Sequence, residues 1–201
     1  MLRTVVPLVI VAAVLASPPA VASPFSHTPH RPDTSAIFAP VLEKANAGDA
    51  PAQYAVGMRY ERGQDVKQSF AEASKWFQKA ADQGVTLAQL RLGEHYQYGR
   101  GVPLNLAEAT KWYRKAAEQD NFAAQHALGK LYLSGDGVKQ DFAEGYFWLS
   151  LAAADKQYAA DRDRSAPLLK ADQLAAVKAR VEQWRQERSR NAGQDNKEKK
   201  G

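Results

Sequence analysis

Residues 85–120 read VTLAQLRLGEHYQYGRGVPLNLAEATKWYRKAAEQD, and the chain repeats that text before and after in a fixed register. Gly57, Gly93 and Gly129 stand 36 residues apart. So do Tyr60, Tyr96 and Tyr132; Gly63, Gly99 and Gly135; and Val66, Val102 and Val138. Trp76, Trp112 and Trp148 keep the spacing, as do Gln53, Gln89 and Gln125 and the alanine pairs beginning at Ala80, Ala116 and Ala152. A period of this length marks a chain built from stacked supersecondary units.

Within a unit the apolar positions have helical spacing. Ala52, Val56, Arg59 and Tyr60 share a face, as do Ala88, Leu92, His95 and Tyr96, and Ala124, Leu128, Leu131 and Tyr132. Each first helix is expected to stop at Gly63, Gly99 or Gly135, where the left-handed C-cap costs glycine little. Each second helix opens with a capping box, beginning at Ser69, Asn105 and Asp141 and closed by Glu72, Glu108 and Glu144. Gly57, Gly93 and Gly129 fall inside helices, where glycine costs about 1 kcal/mol relative to alanine. That cost predicts close approach of another backbone, with the tryptophans as the knobs that fill the space.

The pattern A-x(3)-L-G-x(2)-Y-x(2)-G-x-G-V-x(2)-D-x(2)-E-A-x(2)-W-x(3)-A-A resembles the Sel1-like repeat family, kin of the tetratricopeptide repeats. The likeness runs over residues 36–158. It implies an all-α fold, a right-handed superhelical solenoid of helix-turn-helix repeats with capping helices at both ends, and an adaptor role. Three departures bear on turn geometry: Asp65 where Gly101 and Gly137 stand, Asp120 and Lys156 where Gly84 stands, and Gly145 for Ala73 and Ala109.

The ends of the chain read differently. Arg3, the apolar run from Val5 to Ala16 and the tripeptide Ala20-Val21-Ala22 form a signal peptide over 1–22, cut after Ala22. The apolar run is about 12 residues, short of the roughly 20 that span a bilayer. A Pro-rich linker follows at 23–35. The solenoid then occupies 36–188, with repeats at 49–84, 85–120 and 121–156 and a C-terminal cap at 157–188. Residues 189–201 read as a charged, disordered tail. The cap is demanded by the third unit. Lys75 and Lys111 give way there to Phe147, and Lys79 and Lys115 to Leu151, so a solvated face turns apolar. An amphipathic helix bearing Leu174, Val177, Val181 and Trp184 is placed to cover it.

Composition narrows the function. The chain has no cysteine, which removes disulfides, thiol catalysis and cysteine-bound zinc. An exported protein without disulfides fits the bacterial periplasm, with full secretion as the alternative. The formal charge of +5 does not sit on the fold: residues 36–184 hold 19 basic and 18 acidic side chains. A nucleic-acid partner is therefore not expected. Nor is stable membrane insertion after signal cleavage.

Catalysis and cofactors are not expected either. His27 and His30 lie in the linker, His95 reads as a core residue, and no metal, phosphate-loop or nucleophile-elbow motif occurs. Some cysteine-rich relatives are linked to penicillin binding or β-lactam hydrolysis, but their cysteines and an S-x-x-K are missing here. The expected function is a non-catalytic adaptor that binds a protein or peptide in the solenoid groove. The family resemblance suggests envelope signalling or secretion and export assembly as its setting. A secreted effector or host-interaction protein is the alternative.

The groove-lining positions are those that vary on the first helix of each unit: Tyr54, Met58 and Glu61; Leu90, Glu94 and Gln97; His126, Lys130 and Leu133. They are expected to point away from the packed stripe, with Tyr54, Met58, Leu90 and Leu133 exposed. Varied side chains on a fixed scaffold suit recognition.

Overall fold

The computed structural model describes residues 35–198. The stretch expected to be a signal peptide and nearly all of the expected linker, with His27 and His30, lie outside the described residues. The described chain is helical and contains no strand. After α1 (Ser35–Asn46) come three helix pairs: α2 (Ala50–Arg62) with α3 (Phe70–Asp82), α4 (Thr86–Tyr98) with α5 (Leu106–Ala117), and α6 (Phe122–Ser134) with α7 (Phe142–Ala152). A 3-10 turn, Lys156–Tyr158, leads to α8 (Ala159–Ser165), and a second, Ala166–Leu168, leads to α9 (Ala171–Glu198). From α1 to α8 each helix packs on the one before it, as a solenoid requires, and α9 returns to pack on α7.

Local signals decide the boundaries. Gly63, Gly99 and Gly135 end their helices at φ of 66°, 65° and 79°. Ser69, Asn105 and Asp141 cap the second helices by accepting from the backbone N–H of Glu72, Glu108 and Glu144. The other half of the capping box is not made. The cap residues' own N–H groups already donate to the carbonyls of Tyr60, Tyr96 and Tyr132 at 2.9, 2.9 and 3.0 Å. The glutamates are thereby released: Glu72 and Glu108 pair with Lys75 and Lys111 one turn on, and Glu144 pairs with Arg180 of α9.

The knobs also differ from expectation. A Cβ on Gly57 would lie 2.6 Å from the Phe77 ring, and one on Gly93 would lie 2.7 Å from the Tyr113 ring. On Gly129 it would meet Leu149 at 2.8 Å and the Gly145 carbonyl at 3.0 Å. The notch is thus filled by the residue after each tryptophan, and chiefly by side chain rather than backbone. Successive helical residues point about 100° apart, so the tryptophan turns toward the preceding unit. Trp76 shares a cluster with Ala45, Ala52 and Val56.

The substituted turns hold their shape at two positions. Asp65 takes φ 64° and pairs with Arg59, and Asp120 takes φ 59°. Short polar residues tolerate the left-handed conformation better than other non-glycine residues. At Lys156 the chain departs, turning into the 3-10 segment.

Helix α9 covers the last unit. Phe147 is fully buried, and the Trp184 ring meets Phe147 at 5.9 Å and Trp148 at 5.8 Å, both edge-on. Val177 and Val181 are buried beside them. The helix does not stop at Arg188: it runs through Glu198, across most of the stretch expected to be a disordered tail. Residues 189–198 contain no proline and only one glycine, so nothing in the chain breaks the helix there. Arg188 also holds the helix by donating to the Glu118 carbonyl.

Candidate partner-binding groove

The nine varied positions do not behave as one set. Tyr54 and Met58 are half-buried, packed on the cluster of Ala73, Phe77 and Leu92, and the Tyr54 ring lies 5.7 Å from that of Phe77. Leu90 and Leu133 are half-buried too. Leu90 packs on the third-unit core, and Leu133 stands where a Cβ on Gly145 would need to be. The expectation of exposed apolar side chains is therefore corrected. A helical residue beside the packed stripe still meets the second helix of its own unit, as Tyr54 meets Phe77 and Leu133 meets Gly145.

Glu61 belongs to a buried polar line. Its Oε1 faces His95 Nε2 at 3.9 Å, beyond hydrogen-bond reach, and His95 is fully buried. His95 Nδ1 lies 2.7 Å from Ser74 Oγ. Ser74 Oγ is also within reach of the Phe70 and Arg100 carbonyls, at 2.8 and 3.1 Å. The hydroxyl has one proton and two carbonyls to receive it, so it accepts from Nδ1–H. That proton sense does not activate Ser74 as a nucleophile, which needs a neighbouring base with a free lone pair. The facing imidazole holds the Glu61 carboxyl below its ordinary range against the opposing effect of burial, and Arg91 and Arg100 add to it.

The remaining positions converge. Leu90, Glu94 and Gln97 of α4 and His126 and Lys130 of α6 line a cleft of about 260 Å³, with Tyr98, Tyr113 and Tyr158. A second cleft, about 370 Å³, shares Lys130 and adds Leu133, Leu149, Arg164 and Leu168. Several walls are held in place. Tyr113 donates to Gln97 Oε1 at 2.6 Å, and burial with the nearby Glu94 pushes its phenol well up. Arg91 pairs with Glu94 at 2.9 Å. His126 stacks on Tyr158, centroids 4.5 Å apart, and its Nε2 lies 2.5 Å from Asp161 Oδ2. The hydrogen bond from His126 holds the Asp161 carboxyl below its ordinary range, and Arg164 helps. Lys130 is exposed and has no carboxylate partner among the described residues.

Sequence reasoning missed Tyr98, Tyr158, Asp161, Arg164 and Leu168. The register carried a signal for part of this. Trp184 stands 36 residues after Trp148, and Leu168 the same distance after Tyr132, so the cap is a degenerate fourth unit. In it α8 takes the place of a first helix and closes the groove.

The Sel1 repeat family matches residues 50–85, 86–121 and 122–156. The chain belongs to the Sel1 repeat family. Solved structures that share its fold include two at more than 30% identity. One is a protective antigen present in uropathogenic Escherichia coli strains, displaying an SLR fold. It is 41% identical with a TM-score of 0.56, and the match covers 57% of this chain and 24% of that one. The other is a Sel1 repeat protein from Oxalobacter formigenes, 31% identical with a TM-score of 0.57, covering 64% and 59%. No curated protein matches the chain. Sel1 repeats are generally protein–protein interaction modules and typically non-enzymatic scaffolds. Among the described residues of this Sel1 repeat protein, no helix is long and apolar enough to cross a membrane, and no group of three or more His, Asp or Glu could hold a metal ion.

Proposed function

We propose that this Sel1 repeat protein is a non-catalytic adaptor of the bacterial envelope that binds a protein or peptide in the groove between α4, α6 and α8. One observation carries the reading. Five of the varied positions converge on one cleft with Tyr98, which is 60% exposed, while the positions that stack the units stay constant. Lys130, shared by both clefts, supplies a charge for an acidic group, and Leu133, Leu149 and Leu168 supply an apolar seat beside it. Regulation of envelope signalling, or assembly of a secretion or export machine, is the setting.

The test is capture from envelope extract with the full chain as bait, repeated with Tyr98→Ala plus Lys130→Glu. Both side chains are exposed, so helical circular dichroism is expected to stay unchanged while capture is lost. Removing an aromatic binding anchor commonly costs about 2 kcal/mol or more. A folded double variant that retains every captured protein rejects the groove.

The periplasm is the proposed address, on the strength of Arg3, the apolar run and Ala20-Val21-Ala22. N-terminal sequencing should find Ser23 first, and an intact Met1 in cytosol rejects export. Likeness to a protective antigen keeps full secretion, with a host partner, as the second reading. Cell fractionation separates the two.

A further inference from the structure

The outer face of the second helix occurs three times, and its copies are in three different states. In the last unit α9 covers it. Arg180 pairs with Glu144 and lies 3.8 Å over the Phe147 ring, and Trp184 packs on Trp148. In the middle unit the chain reaches over it. Arg114 crosses to the Tyr132 hydroxyl, its guanidinium 5.6 Å from that ring's centre. In the first unit the position of Arg114 is Gln78, which bonds Asp82 within α3 instead. There the face opens into a mostly apolar cleft of about 600 Å³, floored by Trp76, Leu92, Tyr96 and Val102.

We propose that this α3 cleft docks an amphipathic helix of a partner protein, one that carries acidic residues. The chain itself shows that a helix fits such a face, since α9 lies on the equivalent face of α7. The charges on α3 choose the kind of helix. Phe147 and Leu151 are replaced by Lys75 and Lys79, four residues apart on the rim of the cleft. Lys75 is paired with Glu72 on the exposed surface, where such a pair is weak. Lys79 rests 4.0 Å from the centre of the Trp76 ring and has no carboxylate partner among the described residues. A second copy's α9 would bring Arg180 over Lys75, a like-charge contact, and the counterpart of its partner Glu144 is Glu72, which Lys75 already holds. A glutamate at that place would be attracted. No residue that lines this cleft lines the α4–α6–α8 groove, so the two surfaces are separate and this one does not depend on the other.

The probe is a fluorescent peptide of residues 171–190 carrying Arg180→Glu, titrated into the full chain and read by anisotropy. Saturable binding is expected, about tenfold tighter than for the unaltered peptide, and weakened about tenfold by Lys75→Glu with Lys79→Glu. Gln78→Arg, which copies the middle unit, should close the cleft and abolish binding while helical circular dichroism is unchanged. The lysine reversals lie on the exposed rim and keep the test open should Gln78→Arg disturb the fold. Three results overturn the proposal. They are no saturable binding, equal affinity for the two peptides, or binding that survives both the lysine reversals and a folded Gln78→Arg, as it would if the peptide displaced α9 from α7.

Discussion

The side-chain amide of Gln119 donates to Gln89 Oε1 at 2.8 Å, joining the end of α5 to α4 of the same unit. Gln83 makes the same bond to Gln53 at 2.7 Å. Gln89 and Gln53 in turn donate to the Ala81 and Ala45 carbonyls at 3.2 Å each, so a relay ties the end of one second helix to the next first helix. The third copy is incomplete: Asp155 stands at the donor's position, and Gln125 Oε1 is buried without a partner. Gln119→Ala should leave Gln89 in the same condition and cost about 1–3 kcal/mol. Urea denaturation measures it, and an unchanged midpoint rejects the relay. Asp155→Gln should recover part of a hydrogen bond, less the loss of the Asp155 cap on Gln157 N–H.

Gly93→Ala sets two effects against each other. Helix propensity favours alanine by about 1 kcal/mol. The new Cβ would meet the fully packed Tyr113 ring at 2.7 Å, and overpacking of a core costs about 1–3 kcal/mol. A net loss of stability is expected. Gln83→Ala made in the Gly93→Ala background should add its own cost independently, because the two sites share no partner.

Removal of α9 by truncation after Lys170 should expose Phe147, Leu151 and Trp148. A lower melting temperature and a rise in light scattering are the expected readouts. Phe147→Lys with Leu151→Lys, which restores the residues of the earlier units, should recover solubility in part. A truncated chain as stable and monomeric as the full one would show that α9 covers nothing that matters.

Acid should weaken the contact of α2 with α4 and that of α8 with α6. Glu61 and Asp161 are both held below the ordinary carboxylate range in the folded chain. A carboxyl depressed on folding contributes stability that is present above its unfolded pKa and lost as pH falls through the folded value. Stability should therefore decline below about pH 4. Asp161→Asn should make that decline shallower while weakening the hold of α8 on His126. A pH–stability curve with the same slope in the variant would show that the pair does not contribute.

The 36-residue register alone determined the helices, their caps, the stacking order and the need for a cover over Phe147 and Leu151. All of these follow from backbone propensity, capping chemistry and apolar patterning, which act within a unit or between adjacent units. The groove was legible only in part. Leu90, Glu94, Gln97, His126 and Lys130, which line one cleft, could be grouped in the sequence because they vary where their neighbours do not. Tyr54 and Met58 line neither cleft and instead pack on the cluster of Ala73, Phe77 and Leu92. Tyr158, Asp161 and Arg164 were not placed with α6 because their segment lost the repeat's spacing cues, and the alternating charges from Asp161 to Arg164 read as a solvated face. Tertiary structure also decided which residue fills the glycine notch, and that α3, α5 and α7 present one face open, one self-filled and one covered. Those outcomes turn on side-chain reach across the joint between units, such as that of Arg114 against Gln78, and reach is a distance in space that spacing along the chain does not encode.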